Sequence, residues 1–257
     1  MKVLSKISIG LITLVFVFTQ YSCEKDKNSN GIGVIGGFDY SNGPGDNAQD
    51  YVSDNVFKTL KVQILHMPNA KPTNSSINSL KEFLEDYLDK NSIEVFLTEI
   101  PSSQKATYSI DDIREIEKNN RSIFNSGSTF SASMLFVDGD YSENTGNGKV
   151  LGVAYNNTSM AVFEKTLQDN AGGLFQPSLS SVETTVMHHE FGHLMGLVNN
   201  GAPLTSAHHD SDHGAHCTNT DCLMYYAVEG SDFIANLVGS NIPSLDAQCQ
   251  ADLNGLR

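Results

Sequence analysis

Residues 180–198 read SSVETTVMHHEFGHLMGLV, and this stretch carries the strongest structural signal in the chain. Ser180 followed three residues later by Glu183 is a helix-capping pattern, so we expect a helix that starts here and continues to the end of the stretch. His189 and His193 are four residues apart, which places both imidazoles on one face of that helix, one turn apart. Two imidazoles on a rigid helix suit Zn²⁺, which favours tetrahedral coordination by nitrogen.

Glu190 follows directly after the first of these histidines. Its carboxylate can reach a water molecule on the metal without being a ligand itself. Because zinc lowers the pKa of such a water, Glu190 is the candidate general base, and then acid, for attack on a carbonyl group. The same four-residue pattern also occurs on ordinary surface helices, so it needs support from other parts of the chain.

Two further features give that support. Gly196 can end the helix with a positive φ and turn the chain back toward the metal, although an ordinary helix end has the same signature. Residues 222–226 read CLMYY, in which Met224 would form an apolar floor beneath a metal site. Tyr226 could then swing toward a substrate oxyanion. Alone, this stretch is more typical of a core strand or turn.

Upstream of the helix, the hydrophobic pattern predicts alternating strands and helices. The predicted strands cover residues 60–65, 93–100, 132–137 and 150–155, and the predicted helices cover 76–88 and 109–124. This order predicts an α/β (α+β) fold with a mixed, mostly parallel twisted sheet. The last strand is joined by a short connection and could run antiparallel at the edge, where an extended peptide could dock. A short helix near residues 244–253 follows a largely irregular segment.

Taken together, residues 56–257 resemble the metzincin clan of zinc peptidases. Clan members share the pattern H-E-x-x-H-x-x-G-x-x-(H/D), a methionine turn, and a cleft between an upper α/β lobe and a smaller lower lobe. The matching residues are His189, Glu190, His193, Gly196 and Met224, and Tyr226 matches a tyrosine that some members use on the transition state. The resemblance implies a zinc metallo-endopeptidase with an upper lobe over 56–198 and a lower lobe over 199–257.

The third metal ligand departs from the clan pattern. Asn199 stands where His or Asp is expected, and an amide is a poor zinc ligand beside imidazole. The segment His216-Cys217-x4-Cys222-x-Met224 is similar to the archaemetzincin branch, in which the third histidine opens such a segment. This resemblance implies His216 as the third ligand, after an insertion over 199–215. The other histidines that could take this role are His208, His209 and His213.

The sequence does not decide which of the cysteines form a disulfide bond. In an oxidising compartment, Cys217 and Cys222 are a candidate disulfide, which would help to fix the histidine before them; Cys249 could instead pair with either. The archaemetzincin branch also has a further cysteine cluster that binds a second metal. Because only Cys249 follows the methionine turn, we predict one catalytic Zn²⁺ and no second site.

The N-terminus resembles a bacterial lipoprotein signal. Positively charged residues precede an apolar run over 7–18, and Cys23 follows shortly after it. We therefore expect residues 1–23 to be a signal peptide with lipid attachment at Cys23, which gives an outer-membrane or cell-surface lipoprotein. Ordinary secretion with cleavage nearby is the alternative. Residues 24–55, rich in Gly, Asn, Asp and Ser, predict a flexible tether before the catalytic domain.

Composition limits the partners. The formal net charge of −14 disfavours nucleic acid and anionic membrane surfaces, which leaves the lipid anchor as the expected membrane contact. We expect a monomer acting on a protein or peptide substrate. The alternative is a catalytically silent peptide-binding or metal-binding surface lipoprotein on the same scaffold. The intact Glu190 argues against lost catalysis, whereas the histidine-rich loop favours metal binding.

Overall fold

The computed structural model describes residues 31–145, 148–234, 237 and 241–257. Residues 1–23, predicted to be a signal peptide with a lipid on Cys23, and residues 24–30 of the predicted tether lie outside the described residues. In the part of the chain that is described, no helix has both the length and the apolar character needed to cross a bilayer.

The described residues form nine strands, seven α-helices and one 3-10 helix. The strands are β1 (Val34–Ile35), β2 (Phe38–Asp39), β3 (Thr59–His66), β4 (Ser92–Glu99), β5 (Thr107–Tyr108), β6 (Thr129–Val137), β7 (Asp140–Tyr141), β8 (Gly152–Asn156) and β9 (Ser159–Phe163). The α-helices are α1 (Ala48–Val52), α2 (Asn74–Tyr87), α3 (Ile110–Asn120), α4 (Glu164–Asn170), α5 (Leu179–Leu194), α6 (Ser231–Ile234) and α7 (Ala247–Asn254). The 3-10 helix is Tyr226–Glu229.

Five strands form the central sheet in the order β4-β3-β6-β9-β8. All neighbours in it are parallel except β8, which pairs antiparallel with β9 at the edge. The predicted mixed, mostly parallel sheet is therefore confirmed. The sequence pattern missed β9 because all five of its residues are buried, so it lacks the alternation that marks a half-exposed strand.

Helix α5 packs against α2, against the edge strand β8 and against its neighbour β9. Its start differs from the predicted capping box. The side chain of Ser178 accepts a hydrogen bond from the Ser181 amide, so the helix begins before Ser180. Glu183 instead accepts hydrogen bonds from the amide and the hydroxyl of Thr73, the N-cap of α2. The buried carboxylate therefore ties the two helices together rather than capping its own.

The predicted tether is wrong from residue 32 onward, because this segment packs onto the domain. Tyr40 and Tyr51 are buried. The Tyr51 ring makes edge contacts with Phe130 of the sheet and Phe191 of α5, at centroid distances of 4.7 and 5.6 Å. These buried aromatic side chains hold the segment against the core.

The chain beyond α5 forms the small irregular lower lobe. It contains the 3-10 helix and two short α-helices, and the predicted C-terminal helix is present as Ala247–Asn254. All three of its cysteines are buried. This lobe faces the histidine-bearing end of α5, and it completes the site described next.

Candidate metal centre

The end of α5 is set by Gly196. This glycine has φ +79°, and its amide donates to the carbonyl of His193 while the Leu197 amide donates to that of Gly192, both at 3.1 Å. These two bonds are a Schellman motif, which stops the helix at Leu194 rather than at the predicted Val198. A Cβ at Gly196 would lie 2.5 Å from the Cβ of Ala48, so both conformation and space require glycine.

The methionine turn lies directly beneath the helix. A side-chain Cβ at Gly192 would overlap the sulfur of Met224, so the absent side chain makes room for the methionine. One residue earlier, the carbonyl of Leu223 accepts a 2.7 Å hydrogen bond from Nδ1 of His189. This bond fixes the ring so that its Nε2 atom is directed toward the other two histidines, as in known metal sites.

His216 joins the two helical histidines. Its Nε2 lies 3.3 Å from Nε2 of His189, which is in turn 3.1 Å from Nε2 of His193. Zinc ligands at about 2.0 Å in a tetrahedron are about 3.3 Å apart. All three side chains are buried. Two of the nitrogen–nitrogen separations therefore match the spacing around a zinc ion, and the ligand atoms of the three histidines all lie within 4.8 Å of one another.

The alternative histidines lie elsewhere. His209 pairs with the carbonyl of Gly214, and the ring of His213 stacks on Tyr226 at a centroid distance of 3.7 Å. His208 belongs to a separate cluster. The structure thus engages Tyr226 with the inserted loop, and its role at an oxyanion stays a prediction.

Glu229 is a member of this site that the sequence patterns did not reveal. Its Oε1 lies 3.1 Å from Nε2 of His216, 3.2 Å from that of His193 and 3.6 Å from that of His189. Burial opposes its ionisation, but the charge of His216 and hydrogen bonds from all three imidazoles hold the pKa of Glu229 well below its usual range. The only signal in the sequence is that Glu229 is the first carboxylate after the methionine turn.

Glu190 lies beside the cluster, under the edge strand. Both of its carboxylate oxygens are buried and have no hydrogen bond of normal length among the described residues. Burial, and then the negative charge of Glu229, raise the pKa of Glu190 well above its usual range, although the backbone of Ala154 lies near enough to lower this pKa in part. A Cβ at Gly152 of β8 would lie 2.9 Å from Oε1 of Glu190, so the strand passes directly against the carboxylate. Burial also lowers the pKa of His193 to about 4, which keeps this imidazole neutral, as ligation requires.

His188, next to the motif, has a structural place. Its ring is buried and stacks on Phe83 of α2 at a centroid distance of 4.2 Å. Burial lowers the pKa of His188 to about 4, so it packs as a neutral ring between the two helices.

A second cluster contains the three cysteines and His208. The predicted disulfide between Cys217 and Cys222 is absent, since both are free thiols. The sulfurs of Cys222 and Cys249 are 3.6 Å apart, and Nδ1 of His208 lies 3.5 Å from the sulfur of Cys217 and 3.9 Å from that of Cys249. For zinc with sulfur ligands at about 2.3 Å, tetrahedral ligand separations are about 3.5–3.8 Å.

The surroundings of this cluster also suit a metal. The pKa of Cys222 falls to about 7, first because Cys249 donates a hydrogen bond to it. On its other side, His208 pairs through Nε2 with Oδ2 of Asp252 at 2.7 Å, and both side chains are fully buried. A carboxylate behind a histidine is the usual support for a metal ligand. The expectation of a single zinc ion considered cysteines alone, and it stays a prediction, whereas the structure adds His208 of the inserted loop as a further candidate donor at this cluster.

No protein-family model matches the sequence, and no curated protein matches it either. The backbone is similar to those of three solved structures. Archaemetzincin from Methanopyrus kandleri has 14% identity and a TM-score of 0.49, with 77% of this chain and 96% of that one covered. Archaemetzincin from Archaeoglobus fulgidus has 15% identity and a TM-score of 0.44, with 76% and 99% covered. Metalloproteinase-II from Bacteroides fragilis has 17% identity and a TM-score of 0.41, with 80% and 55% covered.

Proposed function

We propose that this protein is a zinc metallo-endopeptidase that hydrolyses peptide bonds in protein or peptide substrates. The proposal rests on two features that occur side by side. Three imidazole nitrogens lie close together at separations typical of zinc ligands, and the buried, unpaired carboxylate of Glu190 follows one of these histidines in the helix. Structural zinc sites have no use for such a carboxylate, whereas hydrolytic sites need one as proton acceptor.

Each residue of the site has a role in this proposal. His189, His193 and His216 would hold a zinc ion, which would supply a Lewis acid for the scissile carbonyl and for an attacking water molecule. Glu190 accepts the proton of that water and then delivers it to the leaving amine nitrogen, and its raised pKa favours holding the proton between the two steps. The hydrogen bond from His189 to Leu223 keeps the first ligand in its productive orientation.

The edge strand β8 is the proposed docking surface for substrate. It pairs with β9 on one side only, so its other edge can accept an extended peptide by strand addition. Because Gly152 lies against Glu190, a peptide along this edge passes over the catalytic carboxylate.

We also propose that the chain holds a second, structural zinc ion at His208, Cys217 and Cys249, with Asp246 as the fourth donor and Cys222 packed beside the site; the ligand atoms of these four residues lie within 4.8 Å of one another. Four protein donors without an open position are typical of structural zinc. The carboxylate of Asp252 would orient His208 and increase its basicity. Such an ion would hold the lower lobe, and with it the methionine turn, under the catalytic helix.

Metal analysis and peptidase assays test these proposals together. The purified protein should contain two zinc ions per chain, and it should cleave a denatured protein or a peptide library. Glu190→Gln should retain both ions and lose cleavage by about 100-fold or more, as expected for a lost general base. His216→Ala should lose one ion, whereas the matched control His209→Ala should keep both. A wild-type protein that holds zinc but cleaves nothing would instead favour the silent metal-binding lipoprotein.

Export with a lipid on Cys23 remains a proposal that rests on the sequence of residues 1–23 alone. Metabolic labelling with palmitate tests it. Wild-type protein in a bacterial host should take up the label, and Cys23→Ser should not. Equal labelling of the two would contradict lipidation at this residue.

A further inference from the structure

Glu229 occupies the fourth corner of the metal centre. Oε1 of Glu229 lies 3.1–3.6 Å from the three histidine nitrogens, and the ligand atoms of these four residues all lie within 4.8 Å of one another. Those distances match the ligand separation of about 3.3 Å expected around a tetrahedral zinc ion. In catalytic zinc sites this corner belongs to water or substrate, whereas in closed sites a protein side chain fills it.

The backbone around Glu229 also covers the start of the edge strand. The carbonyl of Glu229 accepts a 2.9 Å hydrogen bond from the amide of Leu151, and the amide of Ser231 donates to the carbonyl of Lys149 at 2.9 Å. Between them, Val150 and Gly230 form an antiparallel bridge. The chain has thus added its own short strand at the entrance to β8, where a substrate peptide would pair.

These two contacts come from one short segment. Residues 226–231 contain the 3-10 helix, the carboxylate at the metal corner and the backbone groups that pair with the edge. A bound peptide would place its carbonyl oxygen at the same corner and its backbone along the same strand. The segment therefore occupies both the position expected for a substrate carbonyl oxygen and the position expected for a substrate backbone.

We propose that Glu229 is a fourth, displaceable ligand of the metal held by His189, His193 and His216, and that residues 226–231 close the site until substrate displaces them. This inference rests on the proposed function, since a closed site matters only if the metal is catalytic. If the metal corner is open in only a small fraction of the molecules, the apparent Kd of an external ligand rises, because it equals the intrinsic Kd divided by that fraction. Removing the carboxylate should therefore strengthen the binding of small metal ligands.

Cobalt-substituted full-length protein gives the most direct test, because its visible absorption reports the ligands of the ion. Acetohydroxamate is titrated into the wild type, Glu229→Ala and the control Glu115→Ala, which removes an exposed carboxylate of α3. We expect the Kd for acetohydroxamate to be at least about 10-fold lower in Glu229→Ala than in the other two, because the corner is free. Equal Kd values in all three proteins would overturn the inference.

A crystal structure of the zinc-loaded wild type tests directly whether Glu229 binds the ion. It needs no variant, so the test holds even if Glu229→Ala fails to fold. An oxygen of Glu229 at about 2.0 Å from the zinc supports the inference. Zinc with water at its fourth position and Glu229 turned away overturns it but leaves the proposed peptidase intact. No zinc at the three histidines would overturn the proposed function itself.

Discussion

Nδ1 of His189 donates a 2.7 Å hydrogen bond to the backbone carbonyl of Leu223, which links helix α5 to the turn that carries Met224. The bond joins residues 34 positions apart in the chain. It sets the orientation of the first proposed ligand from the lower lobe, so the position of the turn and the quality of the metal site are coupled.

This coupling can be tested at Gly192. In Gly192→Ala the new methyl group overlaps the sulfur of Met224, which must shift and carry the Leu223 carbonyl with it. We expect zinc affinity at the three histidines to fall by about 10-fold or more, as when a supporting hydrogen bond to a ligand is lost. Competition with a chromogenic chelator measures this affinity. Gly33→Ala, at a glycine with no atom within 4 Å of the new Cβ, is the control, and equal affinities in the two variants would contradict the coupling.

The second metal site should depend on Asp252. In Asp252→Asn the His208 ring keeps a partner of the same shape but loses the carboxylate that supports ligation. The affinity of the cysteine site for zinc should fall by about 10–100-fold, while the three-histidine site keeps its ion. Stepwise chelation followed by metal analysis separates the two ions. Asp221→Asn, at an exposed residue of the same lobe, should change neither step, and unchanged release from Asp252→Asn would argue against a metal at this cluster.

Glu164 should make the protein less stable in alkaline solution. Burial, and then the charge of the buried Glu183, raise the pKa of Glu164 from 4.5 to about 8. Between these two pH values the folded state holds a proton that the unfolded state releases, so the free energy of unfolding falls as pH rises through this window. Below pH 4.5 the protonation of Glu164 costs no stability, and above about pH 8 the loss in the free energy of unfolding is complete.

Glu164→Gln removes this titration because the amide is neutral at every pH. We expect the variant to be more stable than the wild type at pH 9 by roughly 1–4 kcal/mol, and to differ little at pH 5. Urea denaturation at both pH values measures the difference, with Glu115→Gln as a control for the loss of an exposed carboxylate. Parallel pH profiles for Glu164→Gln and the wild type would show that Glu164 is ionised in the folded state.

Arg121 and Glu117 form a buried ion pair that anchors α3 to the sheet. Nη1 of Arg121 lies 3.0 Å from Oε1 of Glu117, both side chains are buried, and the hydroxyl of Tyr155 donates to Oε2 of Glu117. Arg121→Met leaves an unpaired buried carboxylate, so we expect a loss of about 3–5 kcal/mol in the free energy of unfolding. The double variant Arg121→Met/Glu117→Gln should recover part of that loss. If the double variant is less stable than Arg121→Met, the destabilisation does not come from the uncompensated charge of Glu117, and this explanation is wrong.

Local spacing in the sequence was sufficient for the helical half of the candidate site. His189, Glu190 and His193 lie within five consecutive residues, and helical geometry alone puts the two imidazoles on one face. The same holds for Gly196, since the positive φ at a helix end depends on neighbouring residues only. The alternation of strands and helices likewise predicted the mixed, mostly parallel sheet. It missed β9, which is buried on both faces.

The tertiary structure alone decided the rest. His216 was one of four candidate histidines, and its nitrogen meets His189 across 27 residues of chain. Glu229 reaches His193 across 36, and the cysteine cluster joins His208 to Cys249 across 41. No period in the sequence encodes such contacts, because the course of an irregular lobe follows from many simultaneous packing interactions. The sequence by itself therefore determined two candidate ligands and a base, and the folded lobe determined which side chains complete and close the site.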